Sequence, residues 1–316
     1  MKKALITGIN GQDGHFLRKL LKSKGYLVYG LVRPSSGYSP QVDYDECVDG
    51  IIVGSVTNFS SVYRIINDIK PDEIYHLAAN SFIPHGEADD FGTMRTNLLG
   101  THNVLASVRD FLPACKIFLA SSSEMFGDPE YSPQDEKTPF HPNGIYGISK
   151  LAAHWLGAHE RKEHMQFVSC GIMYNHESYY RRPNFVVKKI VRGVARIYKG
   201  SKELIVLGNL TARRDWGYAG DYVEAMWRIL QLDKADDFVI STGKLHSVQD
   251  ILDICFTRVG VKNWHRYVQT HVSLHREDAT LPLVGNSSKL RMMTGWEPKT
   301  GFKEMVVNML LKEMDE

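Results

Sequence analysis

A short apolar run at 4–7 leads into Thr7-Gly8-Ile9-Asn10-Gly11-Gln12-Asp13-Gly14, and a segment of helical period follows. That order constrains the fold more than any other feature of the chain. Gly8 suits a tight turn, Gly11 lets the backbone approach a pyrophosphate, and Gly14 permits close packing of helix on strand. The N-terminus of the helix attracts the anion. A lone glycine pattern is weak, but here a strand precedes it, a helix follows, and more strand–helix units lie behind it. Apolar runs at 26–32, 73–78, 116–120, 167–173 and 238–241 read as buried parallel strands. Helices are predicted near 13–24, 58–69, 92–109, 144–163 and 220–232; in the first, Phe16, Leu17, Leu20 and Leu21 share a face and Gly25 is placed as a stop. This alternation predicts an α/β fold, a doubly wound parallel sheet of the Rossmann kind with right-handed crossovers.

After Tyr174 the rhythm breaks. The stretch 175–213 is rich in Asn, Arg and Lys, and the chain beyond 246 reads as irregular. The expected division is a dinucleotide-binding domain, 1–174 plus 214–245, and a smaller discontinuous lobe for a nucleotide sugar, 175–213 plus 246–316. The polar, turn-rich stretch 34–46 reads as a linker or a cofactor-side loop. With 316 residues, 43% hydrophobic and 23% charged, the chain can bury a substantial core without disulfides or metals. A formal charge of +2 gives no reason to expect nucleic acid or an anionic membrane as partner. Cys47, Cys115, Cys170 and Cys255 are far apart, which fits a reducing, cytoplasmic setting and not a zinc site. The first apolar run is too short for a signal peptide, and no run approaches membrane-spanning length.

The second strand ends in Val32-Arg33-Pro34-Ser35-Ser36 where an NAD protein usually has a carboxylate. Arg33 and Ser35 suit a 2′-phosphate, so NADP is expected, with NAD left open. Ser121-Ser122-Ser123-Glu124 follows the strand at 116–120, at the sheet end where such folds place their ligands. Tyr146 and Lys150 are four apart on a predicted helix and share a face. An ammonium beside a phenol lowers its pKa, which would make Tyr146 a general base for a hydroxyl.

The chain resembles the extended short-chain dehydrogenases/reductases and, within them, the GDP-mannose 4,6-dehydratase family. The resemblance rests on 6–14, on Met173-Tyr174-Asn175-His176-Glu177-Ser178 with Asn184-Phe185-Val186, on 208–217 with its Arg214-Asp215-Trp216-Gly217, on 221–227 and on 295–299. It implies that Ser122, where the family usually has threonine, orients the sugar's 4-hydroxyl, that Tyr146 removes its proton while C4 gives a hydride to NADP, and that Glu124 takes the C5 proton and helps expel the C6 hydroxyl before the hydride returns at C6. Lys150 completes that catalytic set. It also implies that Thr7, Gly8, Gly11, Gln12, Asp13, Gly14, Arg33, Ser35, Leu77, Ala78 and Ala79, with Tyr146 and Lys150, hold the cofactor. Ser81, Asn175, Asn184, Lys189, Arg214 and Arg276 are implied to hold the nucleotide sugar.

The chain departs from the family in several places. After Ala79 it reads Asn80-Ser81-Phe82-Ile83-Pro84-His85-Gly86 in place of Gln-Ser-His-Val, along the segment that borders the hexose. The usual acidic residue after the third strand is replaced within Gly54-Ser55-Val56, 179–183 differ, and Glu277 follows Arg276 in place of proline. The leading expectation is 4,6-dehydration of a GDP-linked hexose, most simply GDP-mannose. A 4-epimerase, 4-dehydrogenase or 4-keto reductase on a related nucleotide sugar such as a GDP-heptose stays open, as does a cofactor-sensing protein without turnover. The family is commonly dimeric or tetrameric, so a homo-oligomer is expected, with helices near 92–109 and 144–163 pairing in a dimer and the loop after Arg33 serving a tetramer.

Overall fold

A computed structural model describes residues 1–33, 47–81, 89–274 and 281–315. Strands, in chain order, are β1 (Lys3–Thr7), β2 (Leu27–Val32), β3 (Gly50–Val53), β4 (Glu73–His76), β5 (Lys116–Ser122), β6 (Val168–Met173), β7 (Asn175–Glu177), β8 (Ile205–Leu207), β9 (Arg213–Tyr218), β10 (Asp237–Ile240), β11 (Leu245–Ser247) and β12 (Val268–Thr270). Helices are α1 (Gln12–Ser23), α2 (Phe59–Ile69), α3 (Asp90–Met94), α4 (Gly100–Phe111), α5 (Ile145–Glu163), α6 (Val186–Tyr198), α7 (Ala219–Leu230), α8 (Val248–Arg258), α9 (Ser288–Thr294) and α10 (Phe302–Asp315).

Seven strands form one parallel sheet in the order β10-β6-β5-β4-β1-β2-β3. The order reverses at β1, so the crevice outside the carboxyl ends of β1 and β4 is the ligand position of a doubly wound sheet. All six strands expected from the apolar runs are present, and β3 adds a seventh at the edge. Burial explains the difference. The interior strand β4 is buried at all four positions, whereas β3 is only partly buried at three and exposed at Val53, and its apolar stretch, Ile51-Ile52-Val53 between Gly50 and Gly54, is too short to stand out as a strand. The run at 73–78 stops pairing at His76, because 77–79 turn out of the sheet toward the crevice.

The chain beyond 246, expected to be irregular, contains α8, α9 and α10. Helix α8 opens on a capping box in which Ser247 accepts from the Asp250 N–H and Asp250 accepts from the Ser247 N–H. Helix α6 buries Val187, Ile190, Val191 and Val194, a spacing of one helical face, while Arg192 and Arg196 are exposed. That face meets Ile251, Phe256, Val306 and Leu310 of α8 and α10 in a core of its own. Leu290 of α9 and Trp296 belong instead to the core behind the sheet, where the Trp296 indole donates to Asp221 O at 2.8 Å.

Asp215 on β9 joins the two parts. Its carboxylate accepts from the Thr242 N–H at 3.0 Å, the Thr242 hydroxyl at 2.5 Å, the Gly243 N–H at 2.9 Å and the Gly285 N–H at 3.2 Å. Burial raises this carboxyl despite the four donors. Asp215→Ala strands three backbone N–H groups and should cost about 3 kcal/mol or more. Urea denaturation should show the loss as a lower midpoint; an unchanged midpoint would contradict it.

Candidate functional site

Gly8 and Gly14 shape one end of the crevice. Gly8 has φ +76°, and a Cβ there would lie 2.9 Å from Ala78 N; a Cβ on Gly14 would lie 2.3 Å from Ile9 O. Gly11 caps α1 with no side-chain hydrogen bond, so the N–H groups of the first turn face the crevice uncapped by a side chain. This arrangement fits a dinucleotide pyrophosphate. Arg33 stands exposed at the end of β2 and also lines the crevice. Ser35 and Arg276 lie outside the described residues, as do 82–86 of the segment bordering the hexose and the loop after Arg33.

The crevice has a volume of about 1430 Å³. Its wall brings together Gly8, Gly11, Gln12, Asp13, Gly14, Arg33, Leu77, Ala78 and Ala79 with Ser122, Glu124, Tyr146 and Lys150, and with Ser81, Asn175, Asn184, Lys189 and Arg214. Among the described residues expected at the site, Thr7 alone is not on the wall. It is 1% exposed, and its hydroxyl holds His76 Nδ1 at 2.9 Å and accepts from the Ala78 N–H at 3.2 Å, so it acts one layer behind.

Two elements carry the chemical groups. Strand β5 ends at Ser122, and a single short turn places Glu124 exposed on the wall, with its N–H donating to the Ser122 hydroxyl at 3.2 Å. Helix α5 presents Tyr146 and Lys150 on one face. Tyr146 is hydrogen-bonded to Ser122, and Glu124 is close enough to act on the phenol's charge. Burial pushes that phenol up to about 12; the Ser122 bond opposes the rise and Glu124 adds to it. The expected lowering by Lys150 is absent. The ammonium sits 5.9 Å from the Tyr146 ring centre and donates to Ala120 O at 2.8 Å, and burial pushes it down to about 8. In the protein by itself, then, Tyr146 is a phenol at neutral pH and Lys150 is predominantly charged.

Three further groups shape the site and were not singled out from the sequence. Between α3 and α4 the helix widens to a π turn at Arg95–Leu99, a distortion that often accompanies function. It carries Asn97, which accepts from the Asn80 N–H at 2.8 Å and donates to Asn80 O at 3.2 Å and Ser149 Oγ at 2.9 Å, tying the wall at 80 to α5. Nothing in the spacing of 92–109 signals that turn.

His176 is the second. Its Nδ1 faces Tyr174 O at 2.8 Å and its Nε2 faces both Asp13 oxygens at 3.0 and 3.1 Å. Both partners only accept, so the ring is an imidazolium. Burial lowers this imidazole but Asp13 outweighs it, and burial raises Asp13 but His176 outweighs it. The negative charge at the start of α1 is thereby neutralised. Arg181, the third, packs 3.6 Å over the Phe185 ring and 3.2 Å from Glu177, and opposes the rise at Tyr146. His176 stands within the Asn-His-Glu-Ser motif, and that position beside Asn175 was the signal available.

The family model described as GDP-mannose 4,6 dehydratase matches residues 5–309. GDP-mannose 4,6 dehydratase 1 of Arabidopsis thaliana is 41% identical over 99% of this chain and 90% of its own length. The human GDP-mannose 4,6 dehydratase is 37% identical over 99% and 91%. Among solved structures, dTDP-glucose 4,6-dehydratase of Bacillus anthracis in complex with NAD superposes with a TM-score of 0.86 at 19% identity, covering 100% of this chain and 97% of that one. RMD of Pseudomonas aeruginosa complexed with NADPH gives 0.81 at 20%, with both chains fully covered. These structural likenesses show the fold.

Lys150 carries a stability cost that can be measured. A shift from 10.5 to about 8 corresponds to about 3 kcal/mol, present in full below pH 8. Between about 8 and 10.5 the unfolded chain binds the proton that the native one does not, so native stability rises with pH there. Lys150→Met should therefore melt higher than wild type at pH 7, with the gap closing toward pH 10. Thermal melts across that range check it, and a lower melting temperature for the variant at pH 7 would contradict it.

Proposed function

We propose, since this chain belongs to the GDP-mannose 4,6 dehydratase family, that it removes water across C5 and C6 of a GDP-linked hexose, GDP-mannose being the substrate. One observation carries this reading beyond sugar oxidation: Glu124 stands exposed on the crevice wall one turn from Ser122 and close to Tyr146. Without a carboxylate there, the site could oxidise C4 but would lack a group for the elimination. A bound nicotinamide dinucleotide supplies the acceptor that oxidises C4 and the donor that reduces C6.

The chain's own groups do the rest. Ser122 orients the 4-hydroxyl; the Tyr146 phenol first gives up its own proton, an ionisation that the positive charge of a bound oxidised nicotinamide would favour, and its oxygen then takes the proton of the 4-hydroxyl. With C4 a ketone, the C5 proton is acidic; the Glu124 carboxylate takes it, and the C6 hydroxyl leaves as water with a proton supplied within the site. The proton gained at Tyr146 balances the one C5 regains, so the cycle needs none from solvent. Gly8, Gly11, Gln12, Asp13, Gly14, Leu77, Ala78 and Ala79 hold the dinucleotide, and Arg33 favours NADP over NAD. Asn175, Asn184, Lys189 and Arg214 hold the nucleotide and its diphosphate, with Ser81 beside the hexose. The same reading divides the chain into a cofactor-binding part, 1–174 plus 214–245, and a nucleotide-sugar part, 175–213 plus 246–316. It also expects a homodimer or homotetramer, a dimer pairing the helices near 92–109 and 144–163, whose Leu99, Ile148 and Trp155 are exposed large apolar side chains.

Purified protein incubated with GDP-mannose should yield a product lighter by one water in mass spectrometry; no dehydrated product from any GDP-hexose would overturn the reading. Glu124→Gln should cut that product about a thousandfold while C4 oxidation, read as the near-ultraviolet absorbance of reduced nicotinamide, persists. A variant that still dehydrates at the wild-type rate would remove Glu124 from the mechanism and favour a plain C4 reaction.

A further inference from the structure

Helix α5 carries a third polar side chain on the face of Tyr146 and Lys150, one turn further on: His154. The proposed reaction gives it no part, yet it is 2% exposed. Its Nδ1 lies 3.1 Å from the hydroxyl of Ser121, the residue directly before Ser122. Its Nε2 faces Asp237 Oδ2 at 3.6 Å, at the start of β10. Arg161, two turns along α5, reaches both Asp237 oxygens at 2.9 Å, Cys170 of β6 borders the same cluster, and Phe140 packs edge-on at 5.4 Å.

His154, Cys170 and Asp237 could be read as metal ligands, since their ligand atoms lie within 4.8 Å of one another. The chemistry opposes that. Arg161 already occupies the carboxylate, and burial, reinforced by Asp237, raises the Cys170 thiol, whereas a metal needs a thiolate. A hydrogen-bonding role fits better. Asp237 lies beyond hydrogen-bond reach of Nε2, but its negative charge favours the hydrogen on that nitrogen; Nδ1 is then the acceptor, and the Ser121 hydroxyl donates to it. Burial lowers the imidazole, Asp237 opposes this and Arg161 adds to it, so the ring is neutral at pH 7. Three consecutive strand residues are thus each bonded to one of three helix residues: Ala120 to Lys150, Ser121 to His154, Ser122 to Tyr146.

We propose that His154 is a positioning residue: by accepting the Ser121 hydroxyl hydrogen it locks the end of β5 against α5 and so sets Ser122 and Glu124 against Tyr146. The kinetic consequence rests on the dehydratase reading; the hydrogen-bond assignment does not.

The test uses His154→Leu, which removes the acceptor, His154→Asn, which keeps one near Nδ1, and Ser121→Ala. With GDP-mannose, His154→Leu and Ser121→Ala should each lower kcat about tenfold with KM held within about twofold, and the double variant should be no worse than either alone. His154→Asn should recover kcat to within about threefold of wild type. Proton–nitrogen NMR of the imidazoles, with the His154 signal identified by its loss in His154→Asn, should show the Nε2–H neutral form at pH 7, shifted by Ser121→Ala. Equal kcat losses in the Asn and Leu variants, losses that multiply in the double variant, or an Nδ1–H form would overturn the proposal. So would stoichiometric zinc in the purified wild type that is missing from His154→Asn. If wild type dehydrates no GDP-hexose, the dehydratase reading falls, and the NMR arm still decides the assignment of His154.

Discussion

The Lys150 ammonium is buried and donates to the carbonyl oxygen of Ala120 at 2.8 Å. Burying an ammonium this way is unfavourable, and the depressed pKa of about 8 expresses the cost. What the contact provides is position. It fixes helix α5 on the end of β5, and the tyrosine one turn earlier then meets Ser122 while the short turn after Ser122 carries Glu124 to the wall. Asn97 adds a second tie, joining Ser149 of the same helix to the backbone at Asn80. A site assembled from two elements and a turn is held to geometry by such packed ties, at the expense of stability.

The other end of the crevice solves an electrostatic conflict. The glycine-rich turn and the open start of α1 attract a diphosphate, but Asp13 places a carboxylate in that same first turn. His176, held as an imidazolium between Tyr174 O and Asp13, cancels that charge from β7. That end of the crevice is thus completed by a residue that follows the sheet's sixth strand, and Gln12 binds the same segment through His176 O at 2.9 Å and the Ser178 hydroxyl at 2.9 Å. Helix α1 and the segment 175–178 depend on each other.

Much of this was legible in the sequence because buried strands in a parallel sheet must be apolar on both faces. The runs ending at Thr7, Val32 and Met173 mark their strands almost to the residue. The edge strand β3 escaped because its apolar stretch is only Ile51-Ile52-Val53, closed off by Gly50 and Gly54, and shorter than the roughly 4–8 residues that mark a buried strand. Helix α6 was hidden by its Lys and Arg residues, although Val187, Ile190, Val191 and Val194 had the spacing. The candidate catalytic set could be named from residue types, their order and the family resemblance, and the structure brings Ser122, Glu124, Tyr146 and Lys150 to one wall. What spacing could not supply was direction. Tyr146 and Lys150 share a face, yet the ammonium points to Ala120 O rather than to the phenol, and only the fold of β5 decides that. The π turn at Asn97 and the imidazolium state of His176 likewise depend on partners far away in sequence.

The central claim is that one crevice oxidises C4, eliminates across C5 and C6, and returns the same hydrogen to the sugar. GDP-mannose deuterated at C4 tests it most directly. The account predicts a product lighter by one water that carries the deuterium at C6. A dehydrated product whose C6 hydrogen comes from solvent, or a C4-oxidised sugar that keeps its C6 hydroxyl, would contradict it.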